Sequence, residues 1–375
     1  MSYRLTPAGG LVRGSPGARV GHMASTSPGP VPWPHTPLPV VAAPMAGGPS
    51  TPELAAAVSN AGGLGFLAAG YRTGSDMAEQ VRATRELTGG PFGVNVFVPA
   101  VERDEGRLFA QRTAIEAYVD LLQATATRLG VELPQPNWED TDGWDEKIEA
   151  LVTDPVAVVS FTFGRPPHRV VDRLHRVGTC VAVTVTCTQE ADAAEAVGAD
   201  ALVVQGVEAG GHRGTHDVLM TPNVLSHPEL LRNLRGRRAA LVAAGGIVGP
   251  SDVRRARKLG AVAAQAGTAY LLTPEAGTSP VHRQALTERA LEASVTRAFS
   301  GRPARGLRNR FVEEFDAYAP AVYPAVDQLT KPLRARAAQL GDVGGVSLWA
   351  GAGWRAIEAA PAAQVTAHLA GPTRA

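Results

Sequence analysis

LPVVAAPMAGGPSTPELAAAVSNAGGLGFLAA, residues 38–69, decides the fold. Its opening, LPVVAAP, is an apolar, β-branched run that stops at Pro44, as a strand buried on both faces does. Thr51 then stands as an N-cap, Pro52 at the first helical position and Glu53 at the positive end of the helix dipole. Leu54, Val58 and Ala61 supply one apolar stripe, Gly62 and Gly63 stop the helix, and GFLAA (65–69) begins a second strand. This is one strand–helix–strand unit.

The cadence repeats along the chain. FGVNVFV (92–98), PVAVVSF (155–161), CVAVTVT (180–186), ALVVQ (201–205), AALVAA (239–244) and AVAAQAG (261–267) are further apolar runs, with helical patterns at 168–177, 189–198, 225–234 and 251–260. Eight short buried strands alternating with helices predict an α/β fold whose parallel sheet closes into a (β/α)8 TIM barrel; an open doubly wound sheet is the competing arrangement. Residues 38–99 and 151–282 are assigned to the barrel. Residues 100–150 read as a helical insertion, and 283–375 as a mostly helical C-terminal second domain capping the active site. Residues 1–37 carry Pro7, Pro16, Pro28, Pro30, Pro32, Pro34 and Pro37 without apolar periodicity. They read as a disordered Pro/Gly-rich leader, for which Met23 offers an alternative start.

Composition excludes several classes of function. Lys+Arg 36 against Asp+Glu 35 leaves a formal net charge of +1, so binding nucleic acid through phosphate neutralisation is not expected. No apolar run of about 18 residues predicts a membrane span, and no apolar signal-peptide core precedes the barrel. Cys180 and Cys187 are too few for a disulfide framework or a four-thiolate zinc site. A cytoplasmic enzyme is expected, and its oligomeric state, a homodimer included, is open.

Barrel chemistry sits where strands hand over to the following loops. Gly245 and Gly246 follow the seventh strand, Ser251 and Asp252 start a helix just beyond, and Gly267 and Thr268 follow the eighth. Glycines bring backbone amides close to an anion and a helix N-terminus adds partial positive charge, so a phosphate is expected there, although each pair alone also fits a tight turn. QGVEAGGHRG (205–214) is the most informative stretch. Gln205 can reach inward with an amide, Gly210 and Gly211 can cradle an anion or lie flat against a ring, and His212 can move a proton near neutral pH. Glu208 reads as a structural residue bonding the loop backbone. His216 stands four residues beyond His212, but Gly211 and Gly214 oppose the helix that a metal-binding pair at this spacing needs, so no metal is expected. Met45 and Asn95, at the ends of strands one and three, suit a flat amphipathic ligand; Met45 also fits an ordinary core role. GLGFLA (63–68) matches a dinucleotide fingerprint, but a helix precedes it and a strand follows, the reverse of what that fingerprint requires.

Taken in order, APMAGG, SNAGGLGFLAAGY, PFGVNVFVP, QGVEAGGHRG, AAGGI, GTAYLLTPEAG, GRPARGLRNRF (301–311), YPAVDQLTKPLR (323–334) and LWAGAG (348–353) resemble the nitronate monooxygenase family, formerly 2-nitropropane dioxygenases. The resemblance implies a (β/α)8 barrel that binds FMN noncovalently beneath a helical second domain. By matching motif, the FMN contacts are Ala43, Met45, Asn95, Gln205, Gly210, Gly211, Gly245, Gly246, Gly267 and Thr268, and His212 is the active-site histidine. Tyr323 and Lys331 fall near flavin or substrate. It further implies oxidation of alkyl nitronates, notably propionate 3-nitronate, by O2 to a carbonyl compound and nitrite, a nitroalkane detoxification. An anionic nitronate needs no base, so His212 is expected to orient or neutralise it; toward a neutral nitroalkane it would abstract the α-proton.

Three positions depart from the family's common pattern. Thr162 stands where many members carry His, Ala42 where Gln is common, and Ala352 where Gln is frequent. Thr162 removes an imidazole from the expected substrate face and leaves substrate preference open. Two other functions compete: an NAD(P)H-dependent flavin reductase on the same barrel, of the enoyl-acyl-carrier-protein or quinone reductase type, and a non-enzymatic barrel that binds a phosphorylated small molecule.

Overall fold

The computed structural model describes residues 29–99 and 104–372. The apolar runs form β1 (Val40–Ala42), β2 (Gly65–Ala68), β3 (Phe92–Phe97), β4 (Val158–Thr162), β5 (Cys180–Val185) and β6 (Ala201–Gln205). After a two-residue strand outside the barrel, β7 (Gly211–His212), come β8 (Ala240–Ala244) and β9 (Ala263–Ala266). The barrel strands are parallel in the order β1-β9-β8-β6-β5-β4-β3-β2. Leu64 N donates to Val40 O and Ala42 N to Leu64 O, which joins β1 to the segment entering β2. The ring therefore closes as a (β/α)8 barrel rather than opening as a doubly wound sheet. Side chains alternate as the pleat demands. Val41, Phe66, Val158, Ala182, Val203 and Val242 fill the interior, while Val40, Leu67, Val159, Val183, Leu202 and Ala243 pack outward against the helices.

The helices are α1 (Pro52–Asn60), α2 (Gly74–Leu87), α3 (Glu105–Leu129), α4 (Trp144–Thr153), α5 (His168–Arg176), α6 (Thr188–Ala196), α7 (His227–Asn233), α8 (Pro250–Lys258), α9 (Pro280–Glu288), α10 (Arg310–Phe315), α11 (Ala325–Gln339) and α12 (Ala362–Ala370). Thr51 caps α1, its hydroxyl accepting from Leu54 N at 3.0 Å. Gly65 lets α1 lie directly on β2, because a Cβ there would stand 2.0 Å from Ala55 O. Gly65→Ala is expected to cost about 3 kcal/mol or more, the upper range for overpacking, since backbone must move. A urea melt against the parent protein measures it.

The domain boundaries expected from sequence shift in three places. First, α4 is a barrel helix: Trp144, Ile148 and Leu151 pack in the outer barrel core, so the insertion ends before α4 and consists chiefly of α3. Second, the C-terminal segment is not uniformly helical. It holds β10 (Ala293–Thr296) and β11 (Ala304–Leu307), which form an antiparallel sheet in the order β10-β11-β7. Its last helix, α12, leaves the cap and packs against α1, α8 and β1, filling the outer layer after β9; Tyr270 OH meets Thr366 Oγ1 at 2.9 Å there. Third, residues 29–37, placed by sequence in the leader, run beneath the barrel. Val31 N donates to Asp200 Oδ1 at 3.0 Å, and Val31 and Trp33 pack under the interior side chains. The remainder of that leader, residues 1–28, lies outside the described residues. The cap has its own core, in which Ile115, Tyr118 and Leu122 of α3 meet Phe311, Phe315 and Leu329.

Candidate active site

Between the C-terminal strand ends and the cap lies a cavity of about 490 Å³. The sequence places His212 in a free loop, but the structure makes it a strand residue: His212 pairs with Ala304 and Gly211 with Arg305, so β11 of the cap holds the imidazole over the barrel mouth. Nε2 lies 2.8 Å from Ser300 Oγ. Phe163, Tyr323 and Trp349 enclose the ring at centroid distances of 5.6, 6.2 and 5.4 Å. The ring keeps some surface toward the cavity but is otherwise walled by protein. Burial, then the charges of Arg302 and Arg334, push its pKa down to about 3. His212 is therefore uncharged at neutral pH. The expectation that it neutralises an anion is corrected: positive charge on the lining comes from Lys331 and Arg334 of α11.

Gln205 lines the cavity, and one bond at each end of its amide ties it to its own loop. Nε2 donates to His212 O at 3.1 Å and Oε1 accepts from Gly214 N at 2.8 Å, so Gln205 staples the histidine loop to β6. The two glycines of that loop differ in role. A Cβ on Gly210 would stand 2.5 Å from Gly351 N, which makes Gly210 the point where cap and loop backbones touch. Gly211, at φ +73°, has nothing within 4 Å and faces open space. Glu208 does hold backbone: its carboxylate accepts from His227 N at 3.3 Å. His216 turns away from His212, its Nε2 lying 3.1 Å from Thr184 O.

Gly245 and Gly246 take φ of +103° and +69°, a conformation that favours glycine. Among the described residues nothing accepts the backbone N–H of Gly246, Gly267 or Thr268. Thr268 opens a 3-10 turn (Thr268–Tyr270), and its hydroxyl accepts from Gly351 N at 2.9 Å. The N-terminus of α8 does not join this cradle as expected, because the Asp252 carboxylate already accepts from Val248 N and Gly249 N at 3.1 and 3.0 Å. A carboxylate at that helix end occupies the amides and repels a second anion.

Asn95 sits at the floor, its Nδ2 within 3.1 Å of Ser160 O, Ser160 Oγ and Thr162 Oγ1. Thr162 continues the network to Thr184 Oγ1 at 3.2 Å, so at this position the chain has a hydroxyl tied into the wall. Ala43 and Met45 line the opposite side, with Met45 Sδ 3.6 Å from a Cβ built on Gly267. Lys331 lies on the lining. Tyr323 does not: it stands behind His212 and Phe163, and its hydroxyl reaches Tyr71 OH at 3.5 Å. Tyr71 takes the place on the wall, at φ +67°, with its N–H held by Asp142 Oδ1 at 2.8 Å. Asp142 in turn pairs with the fully buried Lys147 at 2.7 Å. Sequence reasoning missed Tyr71, Ser300, Arg302, Arg334 and Trp349. Tyr71 carried a signal, an aromatic directly after the second strand.

Fold and site together define a (β/α)8 barrel with a corner of unpartnered backbone amides at one end of its mouth and a caged histidine in the same cavity. A family model described as nitronate monooxygenase matches residues 35–370, and the chain belongs to that family. It is 39% identical over 348 residues to the nitronate monooxygenase of Pseudomonas aeruginosa, covering 88% of this chain and 95% of the relative. It is 35% identical over 327 residues to a probable nitronate monooxygenase of Bacillus subtilis, covering 85% and 91%. Among solved structures, a nitroalkane oxidase from Streptomyces ansochromogenes superposes with a TM-score of 0.84 at 47% identity, covering 89% of this chain and 95% of that one. FabK from Thermotoga maritima superposes at 0.66 and 26% identity, covering 88% and 90%. The nitronate monooxygenases and the nitroalkane oxidase are oxidoreductases by name. No described helix is long and apolar enough to cross a membrane.

Proposed function

We propose that the protein is an FMN-dependent nitronate monooxygenase that oxidises alkyl nitronates such as propionate 3-nitronate, and nitroalkanes, with O2 to a carbonyl compound and nitrite. One observation carries the reading: unpartnered amides in a glycine cradle and an uncharged, ring-enclosed imidazole line one cavity. The residues fit a flavin mononucleotide. Gly246, Gly267 and Thr268 offer amides to its phosphate, and Ala43, Met45, Asn95, Gln205, Gly210, Gly211 and Gly245 supply the small and polar surface a flat ring needs. When bound, the flavin supplies the electron-accepting chemistry.

The protein's part is binding, charge and the proton. Lys331 draws an anion to the cavity; Arg334 is already paired at 2.7 Å with Asp327, the one described carboxylate on the lining. Toward a neutral nitroalkane, His212 takes the α-proton. The C–H electron pair passes into a C=N bond, and the negative charge settles on the nitro oxygens, toward the cations of α11. Toward a nitronate the proton is already gone and the uncharged ring only positions.

Lys331→Met is expected to raise KM for anionic nitronates about fivefold, as removal of about 1 kcal/mol of half-solvated attraction implies, and to leave KM for neutral nitroalkanes unchanged. Steady-state kinetics at two ionic strengths checks both. The whole reading is tested by anaerobic titration of the purified protein with propionate 3-nitronate. Loss of oxidised flavin absorbance is the expected result; protein that cannot be loaded with FMN overturns it. Bleaching by NADPH and not by nitronate would move the assignment to the reductase reading.

A further inference from the structure

The segment preceding β11 has no part in the chemistry described above, yet it touches the imidazole from behind. Ser300 and Arg302 are each 1% exposed. Ser300 Oγ makes three contacts: His212 Nε2 at 2.8 Å, Arg302 O at 3.4 Å and Arg302 N at 3.4 Å. A hydroxyl has one proton and two lone pairs. Given to Nε2, that proton leaves Arg302 O unpartnered. Given to Arg302 O, it frees both lone pairs to accept Arg302 N–H and Nε2–H, and every contact is satisfied at once. The second arrangement puts the ring proton on Nε2. Nδ1, which bonds none of the described residues, keeps the lone pair.

Arg302 is a buried cation without a carboxylate partner among the described residues. Its guanidinium donates to Thr215 O at 2.9 Å, its Nε has no partner, and its carbon lies 4.1 Å from the Phe163 centroid and 5.2 Å from that of Tyr323. Those two rings also enclose His212. A buried unpaired charge is costly, so its retention at this spot calls for a use.

We propose that Ser300 and Arg302 are positioning residues that act on the reaction through His212, Ser300 by fixing the ring as its Nε2–H form and Arg302 by denying it a second proton. The proposal deepens the reading of the site as one where His212 handles a substrate proton, and rests on it. The charges that reach the ring come from two sides, Arg302 behind it and Arg334 on α11, with Asp327 committed to Arg334. Tyr323 and Tyr71, the other titratable groups at this wall, are held as neutral phenols by burial. The ring's lowered proton affinity agrees with this arrangement. Nδ1 is then the atom that takes a substrate proton.

Nitrogen NMR of protein labelled at its histidine imidazoles reads this directly, with the His212 signals identified by their loss in His212→Asn. The expected spectrum shows a bare Nδ1 and a protonated Nε2, unchanged between about pH 5 and 8, where an ordinary histidine titrates. Ser300→Ala should mix the two neutral forms. Arg302→Met should move the ring's protonation to higher pH than in the parent, short of the ordinary value because burial remains, and Arg302→Lys, which keeps the charge, should not. A ring protonated at Nδ1, one that titrates near 6.5 in the parent protein, or one indifferent to Ser300→Ala and Arg302→Met overturns the proposal. If Arg302→Met does not fold, the parent spectrum and Ser300→Ala still decide. The spectra require neither flavin nor turnover, so failure of the functional reading shows separately, in the anaerobic titration.

Discussion

His212→Asn is expected to lower kcat/KM for neutral nitroalkanes by about 10²–10⁴-fold, the range that general-base catalysis contributes. Turnover of preformed nitronates should fall far less, because their α-proton is already absent. The field of Arg302 and Arg334 weakens the free imidazole as a base, which at first opposes this role. The same cations favour the nitronate that forms beside it. Proton transfer from nitroalkane to imidazole creates one positive and one negative charge together, so the site's total charge does not change. What matters is the proton affinity of the ring in the presence of the developing anion. Steady-state rates with a nitroalkane and its own nitronate, measured in parallel, separate the two cases. An equal loss on both substrates would sink the base assignment and leave His212 a binding residue.

The barrel was legible because its strands are apolar runs bounded by Gly and Pro, a pattern set by burial on both faces. The strand-end residues were legible for a related reason: where a buried strand stops, the next few side chains must line the mouth. Position could be read, but not partners. Gln205 and Asn95 have the hydrogen-bonding groups a ligand needs, yet Gln205 commits one bond at each end of its amide to the loop it leads into, and Asn95 turns its donor to Ser160 and Thr162. Layer assignment was equally hidden. α12 has the apolar spacing of any surface helix, and only tertiary contact shows it packing on α1 and α8 rather than in the cap. ASVT and ARGL, the strands β10 and β11, are too short and polar to signal themselves. Arg302 carried no sequence signal at all. An arginine in GRPARGLRNR reads as solvated, and its burial depends on Phe163 and Tyr323, which lie far away in the sequence.

Acidification should destabilise the protein steeply, and two histidines account for much of it. Burial holds His212 at about 3 and His282 at about 4, both below the usual value of 6.5. Above 6.5 neither state of the chain protonates these rings, and folding carries no penalty from them. As pH falls below 6.5 the unfolded chain binds a proton on each ring while the folded protein refuses it, so stability drops toward the folded pKa of each group. At 1.36 kcal/mol per pKa unit, His212 accounts for about 5 kcal/mol by pH 3 and His282 for about 3 kcal/mol by pH 4. Against a typical total of about 5–15 kcal/mol, those losses approach the whole stability of a domain. Urea melts at pH 7 and pH 4.5 should show the difference, and His212→Asn should shrink it by about 3 kcal/mol, since Asn has no proton to gain. If the His212→Asn protein lost stability on acidification as steeply as its parent, the imidazole would not be held neutral in the fold. The electrostatic account of the site would then fail with it.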